Sequence, residues 1–384
     1  MKSTQQPNLR VVISSQRPAS KVFPDADLGL RSRIGSMLRR IAGSGIEKLS
    51  PSYFALVMAT GIVSIASNFL GMSRVAHFLF VINAGAFVVL WVLTGLRVLF
   101  YSKRMLDDLK QHAVSPGYFT MVAGTCVFGI QCIQLVDDHA FATWLWIVAI
   151  GLWALITYAV FTAIIISPRK PPLGRGLNGM WLISAVATQS ISVLGTQIAV
   201  QVPAHQDTIL FVSLVFFLMG CMLYLNIIAI IFFRLTFVAL APAEMTPPYW
   251  INMGATAIAT QAGASLMLQS GKSQLLIELL PFLKGFTLFF WAAGTWWIPL
   301  LIILAAWTYL IQRVPVTYSP QFWGVVFPLG MYTASTYQLA KATGFDVLHA
   351  IPEVSIYLAL VAWTLTFVGF LRQLGKGLLA NEGA

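Results

Sequence analysis

Few side chains in this 384-residue chain could do covalent chemistry, and their spacing argues against it. The five histidines, His77, His112, His139, His205 and His349, fall in expected loops or at the ends of apolar runs. They form no HxxxH or HExxH pattern, the spacing that sets two imidazoles on one helix face for a metal. Cys126, Cys132 and Cys221 lie inside apolar runs without CxxC spacing and read as small core residues. Asp107-Asp108 and Asp137-Asp138 do not continue into the DxxD spacing of an intramembrane prenyl transferase and suit helix capping in loops. No GxSxG, P-loop or dinucleotide glycine pattern stands in a supporting context. The expectation is a protein that is not an enzyme, with no metal and no cofactor. Binding chemistry remains, carried by carboxamides and hydroxyls that offer hydrogen bonds without a fixed charge.

The elements that must position those groups are membrane helices. Hydrophobic side chains make up 58% of the chain and charged ones 10%, against about 25% charged in a soluble domain, and the mean hydropathy is +0.79. Ten apolar runs are each long enough to cross a bilayer: residues 54–72, 77–99, 119–136, 141–166, 180–200, 209–233, 250–268, 286–311, 323–340 and 354–371. They make an all-α, multi-pass membrane domain over 50–374, with a basic tail at 1–49 and a short tail at 375–384. Within the first tail, Leu30, Ile34, Met37, Leu38 and Ile41 recur at helical spacing among Arg31, Arg33, Arg39 and Arg40, which suits a short helix on anionic lipid. It equally suits a partly ordered tail that only fixes topology.

The net charge of +11 reports orientation before it reports a partner, and nucleic acid is not expected. With the N-terminus inside, 20 Lys and Arg fall on the cytoplasmic side and four, Arg74, Lys272, Lys284 and Lys341, on the other. This predicts both termini in the cytoplasm, and the membrane is expected to be the plasma (inner) membrane.

An internal repeat is visible at the starts of the odd-numbered runs, where Phe54, Phe119, Trp181, Trp250 and Trp323 stand 65, 62, 69 and 73 residues apart. Five helical hairpins are implied. Side-chain amides concentrate in the odd runs, for example Gln131, Gln134, Gln189, Gln197 and Gln261, whereas nine of the twelve tryptophans lie in the even runs. Amides avoid lipid and bulky aromatics tolerate it, so the odd helices should be inner and the even ones outer. Five parallel, moderately polar helices ringed by five apolar ones enclose an axis, and an axial pore follows. With no Asp, Glu, Lys or Arg in the interior of a run and with the inner N-termini facing the cytoplasm, such a pore suits small inorganic or organic anions. Pro328 falls in the middle of the ninth run and should kink it, with Phe327 beside it.

The opening Pro51-Ser52-Tyr53-Phe54-Ala55-Leu56-Val57-Met58-Ala59-Thr60-Gly61, the stretch Gly294-Thr295-Trp296-Trp297-Ile298-Pro299-Leu300 and the Phe327-Pro328 pair resemble the tellurite-resistance/dicarboxylate transporter family. That family holds bacterial tellurite-resistance permeases, fungal malate permeases and sulfite exporters, and slow-type anion channels of plant guard cells. The resemblance implies a homotrimer, each protomer having its own central pore closed by a phenylalanine, here Phe327 with Pro328 behind it. Candidate pore-lining residues are Thr60, Thr125, Thr188, Gln189, Thr256, Thr260 and Gln261. The expected function is an anion permease or channel. A proton-linked carrier of dicarboxylates such as malate is the alternative, and an intramembrane enzyme a more distant one.

Overall fold

The computed structural model describes residues 45–382, with side chains to 376, so the expected interfacial helix around residues 30–41 lies outside the described residues. No strand occurs among them. Ten long helices follow in chain order: α1 (Phe54–Phe69), α2 (Ser73–Leu109), α3 (Phe119–Val136), α4 (His139–Ile165), α5 (Ile183–Ala199), α6 (Gln206–Phe237), α7 (Ile251–Leu268), α8 (Gln274–Ala306), α9 (Trp323–Thr343) and α10 (Ala350–Glu382).

The odd-numbered helices all begin alike. Each is entered through a one-turn 3₁₀ segment, Pro51–Tyr53, Ser115–Tyr118, Gly179–Leu182, Pro247–Trp250 or Pro320–Phe322. In four of the five a proline occupies the first or second position, where its missing N–H costs nothing. The third uses Asn178 instead, whose side chain accepts from Met180 N at 2.9 Å. Several links from odd to even helix are tight reversals. Gly71, Asp137 and Gly344 take positive φ there, the left-handed conformation that ends a helix within one residue.

Packing closes the odd helices into a ring: α1 on α3, α3 on α5, α5 on α7, α7 on α9, and α9 back on α1. Each even helix packs on the odd helix before it and touches the next odd helix round the ring. Burial follows. In their most apolar stretches α1, α3 and α5, with their entry turns, are 72–94% buried, against 22–44% for the even helices. Every residue of α7 from Ile251 to Met267 is buried. Eight helices are long and apolar enough to cross a membrane. The other two long ones, α7 and α9, are the inner pair whose amide, hydroxyl and glycine content is enclosed by protein.

Three boundaries differ from the sequence expectation by ten residues or more, one of them the end of α10, which runs to Glu382 rather than 371 and takes in most of the expected tail. Helix α8 starts at Gln274, not 286, and carries Pro281, Glu278 and Lys284 in its first turns. A charged and proline-bearing start reads as a loop, yet its exposed face accommodates both ions. Helix α2 runs on to Leu109 after a break at Tyr101, where φ is −134° and ψ 31°. The break turns the last segment so that Asp108 reaches back to Arg97, Oδ2 to Nη2 at 2.6 Å, with both side chains buried. Arg97 also donates to Glu47 O at 3.1 Å and to Tyr118 Oη at 3.4 Å.

The same device recurs two hairpins on. Arg234 at the end of α6 donates to Tyr249 Oη, to Gly174 O at 2.6 Å and to Glu244 Oε2 at 3.3 Å. In both cases an arginine in the C-terminal part of an outer helix ties down the tyrosine that enters the next inner helix. Asp108→Ala leaves Arg97 buried and uncompensated, and should cost about 3–5 kcal/mol, read as a lower thermal transition of the detergent-purified protein.

Candidate functional site: the axis of the inner ring

Two cavities lie within the inner ring, one towards each end. The first, at the N-terminal ends of α1, α5, α7 and α9, is lined by Ser52, Ala55 and Met58 of the α1 hairpin, Met180, Ile183 and Val186, Ile251, and Gln321, Trp323, Gly324 and Phe327, among others. The second lies further along the helices. All five inner helices contribute to it: Ile62 and Ile65; Val127, Ile130 and Gln134; Ser190, Val193 and Gln197; Ile258 and Gln261; and Met331.

Within a helix, lining residues recur at steps of three and four, as in Ala55, Met58, Ile62 and Ile65, so one face of the helix looks at the axis; α3 lines the second cavity only. Across helices, Ile62, Val127, Ser190, Ile258 and Met331 stand 65, 63, 68 and 73 residues apart. This register departs by one residue, at α5, from the one marked by the aromatic anchors. Since the first cavity takes N-terminal residues and the second takes C-terminal ones, the inner helices run parallel.

No ionisable side chain lines either cavity. The first is surrounded by the opening turns of inner helices, whose N–H groups and dipoles present partial positive charge. On α9, Phe327 borders the first cavity and Met331, a turn later, borders the second. Phe327 is 2% exposed. Pro328 packs on α7, where a Cβ added to Gly254 would come within 2.8 Å of its Cγ, so only glycine lets α9 approach this closely.

Of the seven polar residues expected on the axis, Gln261 alone lines a cavity. Thr60 Oγ1 accepts from Trp363 Nε1 at 3.0 Å, and Thr188 Oγ1 from Trp153 Nε1 at 2.8 Å, both from outer helices. Gln189 Nε2 donates to Phe217 O at 3.1 Å and to Cys221 Sγ at 3.3 Å on α6. Thr256 abuts Gly294 of α8, whose added Cβ would lie 2.5 Å from its Oγ1. Thr125 and Thr260 donate to carbonyls of their own helices, Met121 O at 2.7 Å and Thr256 O at 2.9 Å.

The reason is angular. Thr60, Thr125, Thr188 and Thr256 share one place in the repeat, two residues before the lining set Ile62, Val127, Ser190 and Ile258. Two residues turn a helix by about 200°, to its opposite side. Sequence reasoning missed the buried Arg97 and Arg234, which it counted only as charges near span ends. Their separations from Tyr118 and Tyr249, 21 and 15 residues, share no spacing that would mark a motif.

Comparison with known proteins adds to this geometry. A family model described as voltage-dependent anion channel matches residues 48–371. An uncharacterised membrane protein of Mycobacterium tuberculosis is 39% identical over 152 residues, 40% of this chain and 77% of its own. An uncharacterised transporter of Methanocaldococcus jannaschii is 26% identical over 88% of this chain and 98% of its own. A sulfite efflux pump of Arthroderma benhamiae is 24% identical over 84% and 90%.

The outward-facing threonines give a direct check of the register. Thr60→Val and Thr188→Val each leave an indole N–H without its acceptor and should each cost about 1 kcal/mol of stability. Thr125→Val, which removes only a bond within its own helix, should shift the same thermal melting curve less.

Proposed function

Because the chain belongs to the voltage-dependent anion channel family, which is also that of the tellurite-resistance/dicarboxylate transporters, we propose that it is an anion permease whose substrate travels along the axis of the inner ring, with Phe327 as the gate. The observation that carries this reading is the pair of cavities on one axis, free of ionisable lining residues, with Phe327 in the lining of the first. An aromatic ring in a narrow apolar path stops flow by filling it or by keeping it dry. The helix openings around the first cavity supply the positive potential that favours anions over cations.

In this reading all ten long helices cross the membrane as five hairpins. Helices α7 and α9, less apolar than the rest, can do so because protein surrounds them. Both termini face the cytoplasm, as the distribution of Lys and Arg supports, and the first cavity is the cytoplasmic mouth. The membrane is the plasma (inner) membrane, and the protein works as a homotrimer with one path per copy. Sulfite, chloride, nitrate and malate are the substrates to try. Sulfite is included because a relative carries the description of a sulfite efflux pump. No carboxylate lines the path, so a proton moving with malate would have to ride on the malate itself.

Anion flux into liposomes holding the purified protein, under an imposed voltage, tests the gate. Phe327→Ala should raise flux about tenfold or more over the unaltered protein. Equal flux in both removes Phe327 as the gate, and malate entry only under a pH gradient replaces the channel by a carrier. Topology is checked separately by single added cysteines, since Cys126, Cys132 and Cys221 are all buried. Arg74→Cys should react with a membrane-impermeant thiol reagent on intact cells, and Arg169→Cys only after permeabilisation.

A further inference from the structure

Three glutamines from neighbouring inner helices, Gln134 of α3, Gln197 of α5 and Gln261 of α7, line the second cavity. Gln134 Nε2 donates to Gln197 Oε1 at 3.3 Å. Gln261 is 3% exposed, and its Oε1 is buried without a partner, as is that of Gln134. Most of the remaining lining is aliphatic, so the unpaired carbonyls gain nothing from their surroundings. Ser190, also in the lining, donates to Val186 O at 2.8 Å and is thereby tied to its own helix.

The repeat sharpens the oddity. Ile65, Ile130 and Val193 occupy the place equivalent to Gln261 in the first three hairpins, and all of them line the same cavity. A carboxamide stands where the architecture otherwise puts an aliphatic side chain. Packing would be served by a fourth aliphatic residue.

We propose that Gln261, with Gln134 and Gln197, forms a binding site for a small oxyanion of the nitrate or sulfite kind. The proposal rests on the anion-permease reading and names a substrate class for it. Each carboxamide carries two N–H donors, and a half-turn about its last bond exchanges nitrogen and oxygen, so each can present donors to the cavity. Three such groups converging from three helices match an anion whose charge is spread over several oxygens. They replace part of its water shell inside an otherwise apolar chamber. The absence of a lysine or arginine in the lining keeps such binding weak enough for release, which conduction requires.

The test uses the full chain in liposomes, in the Phe327→Ala background, with chloride, nitrate and sulfite compared. Gln261→Leu restores the aliphatic character of this layer and so should fold. It should lower the nitrate-to-chloride and sulfite-to-chloride flux ratios about tenfold, while Gln261→Asn, which keeps the carboxamide, should fall between. Nitrate protection against thermal unfolding in detergent is measured alongside and should be present in the unaltered protein and lost in Gln261→Leu. Flux ratios within about twofold of the parent, together with nitrate protection that is equal in both proteins or missing from both, overturn the site. If no anion crosses in any variant, the permease reading fails, and the melting experiment alone decides whether the amides bind an oxyanion.

Discussion

A polar atom placed inside this bundle must find its partner there, because the outward surface is aliphatic and aromatic and offers none. Two kinds of side chain meet that constraint differently. A hydroxyl can bond to the carbonyl one turn back in its own helix, as Thr125, Thr188, Thr260 and Thr333 do, and can therefore sit on any face. A carboxamide is too long and has too many hydrogen-bonding groups to be satisfied that way. It must reach a neighbouring helix or open space. Asn83 of α2 meets Gln131 of α3, Nδ2 to Oε1 at 2.6 Å, and Gln189 meets α6. Gln134, Gln197 and Gln261 are the amides that line the second cavity.

This difference explains which parts of the molecule were legible from the residues. The division into inner and outer helices could be read, because amides and tryptophans respond oppositely to lipid and segregate accordingly. The starts of the inner helices could be read to within a residue or two, because each is announced by aromatic residues and most by a proline. The face of each inner helix could not. Thr60 and Thr188 were weighted equally with Gln261 as polar groups in an inner helix, yet a threonine carries little information about direction. The axial register is fixed by ring packing, a property of five segments together, and the one-residue slip at α5 has no local signature.

Charge was misread for a related reason. Counting Lys and Arg by side treats each as a solvated marker, which holds for exposed ones such as Lys284. Arg97 and Arg234 are instead enclosed where an outer helix ends and the next inner helix begins. There each gathers a tyrosine hydroxyl, a carboxylate and a backbone carbonyl. The partner acid of Arg97 becomes reachable only through the break at Tyr101, which no hydropathy profile registers. The two clusters fix the entrances of α3 and α7 and thereby the N-terminal mouth of the axis.

The bond from Trp363 to Thr60 joins residues 303 apart, and with the contact of α9 on α1 it completes the circle. During synthesis the first hairpin enters the bilayer long before its final neighbour exists. Until α9 and α10 have left the ribosome, one flank of α1 has no protein against it, and Thr60 lacks its indole donor. A chain cut short by one hairpin is therefore an open fan with one flank of α1 and one of α7 facing lipid, rather than a slightly smaller bundle. Quality control acting on unfinished membrane proteins would have these exposed flanks to recognise, and closure can only be the last event of assembly.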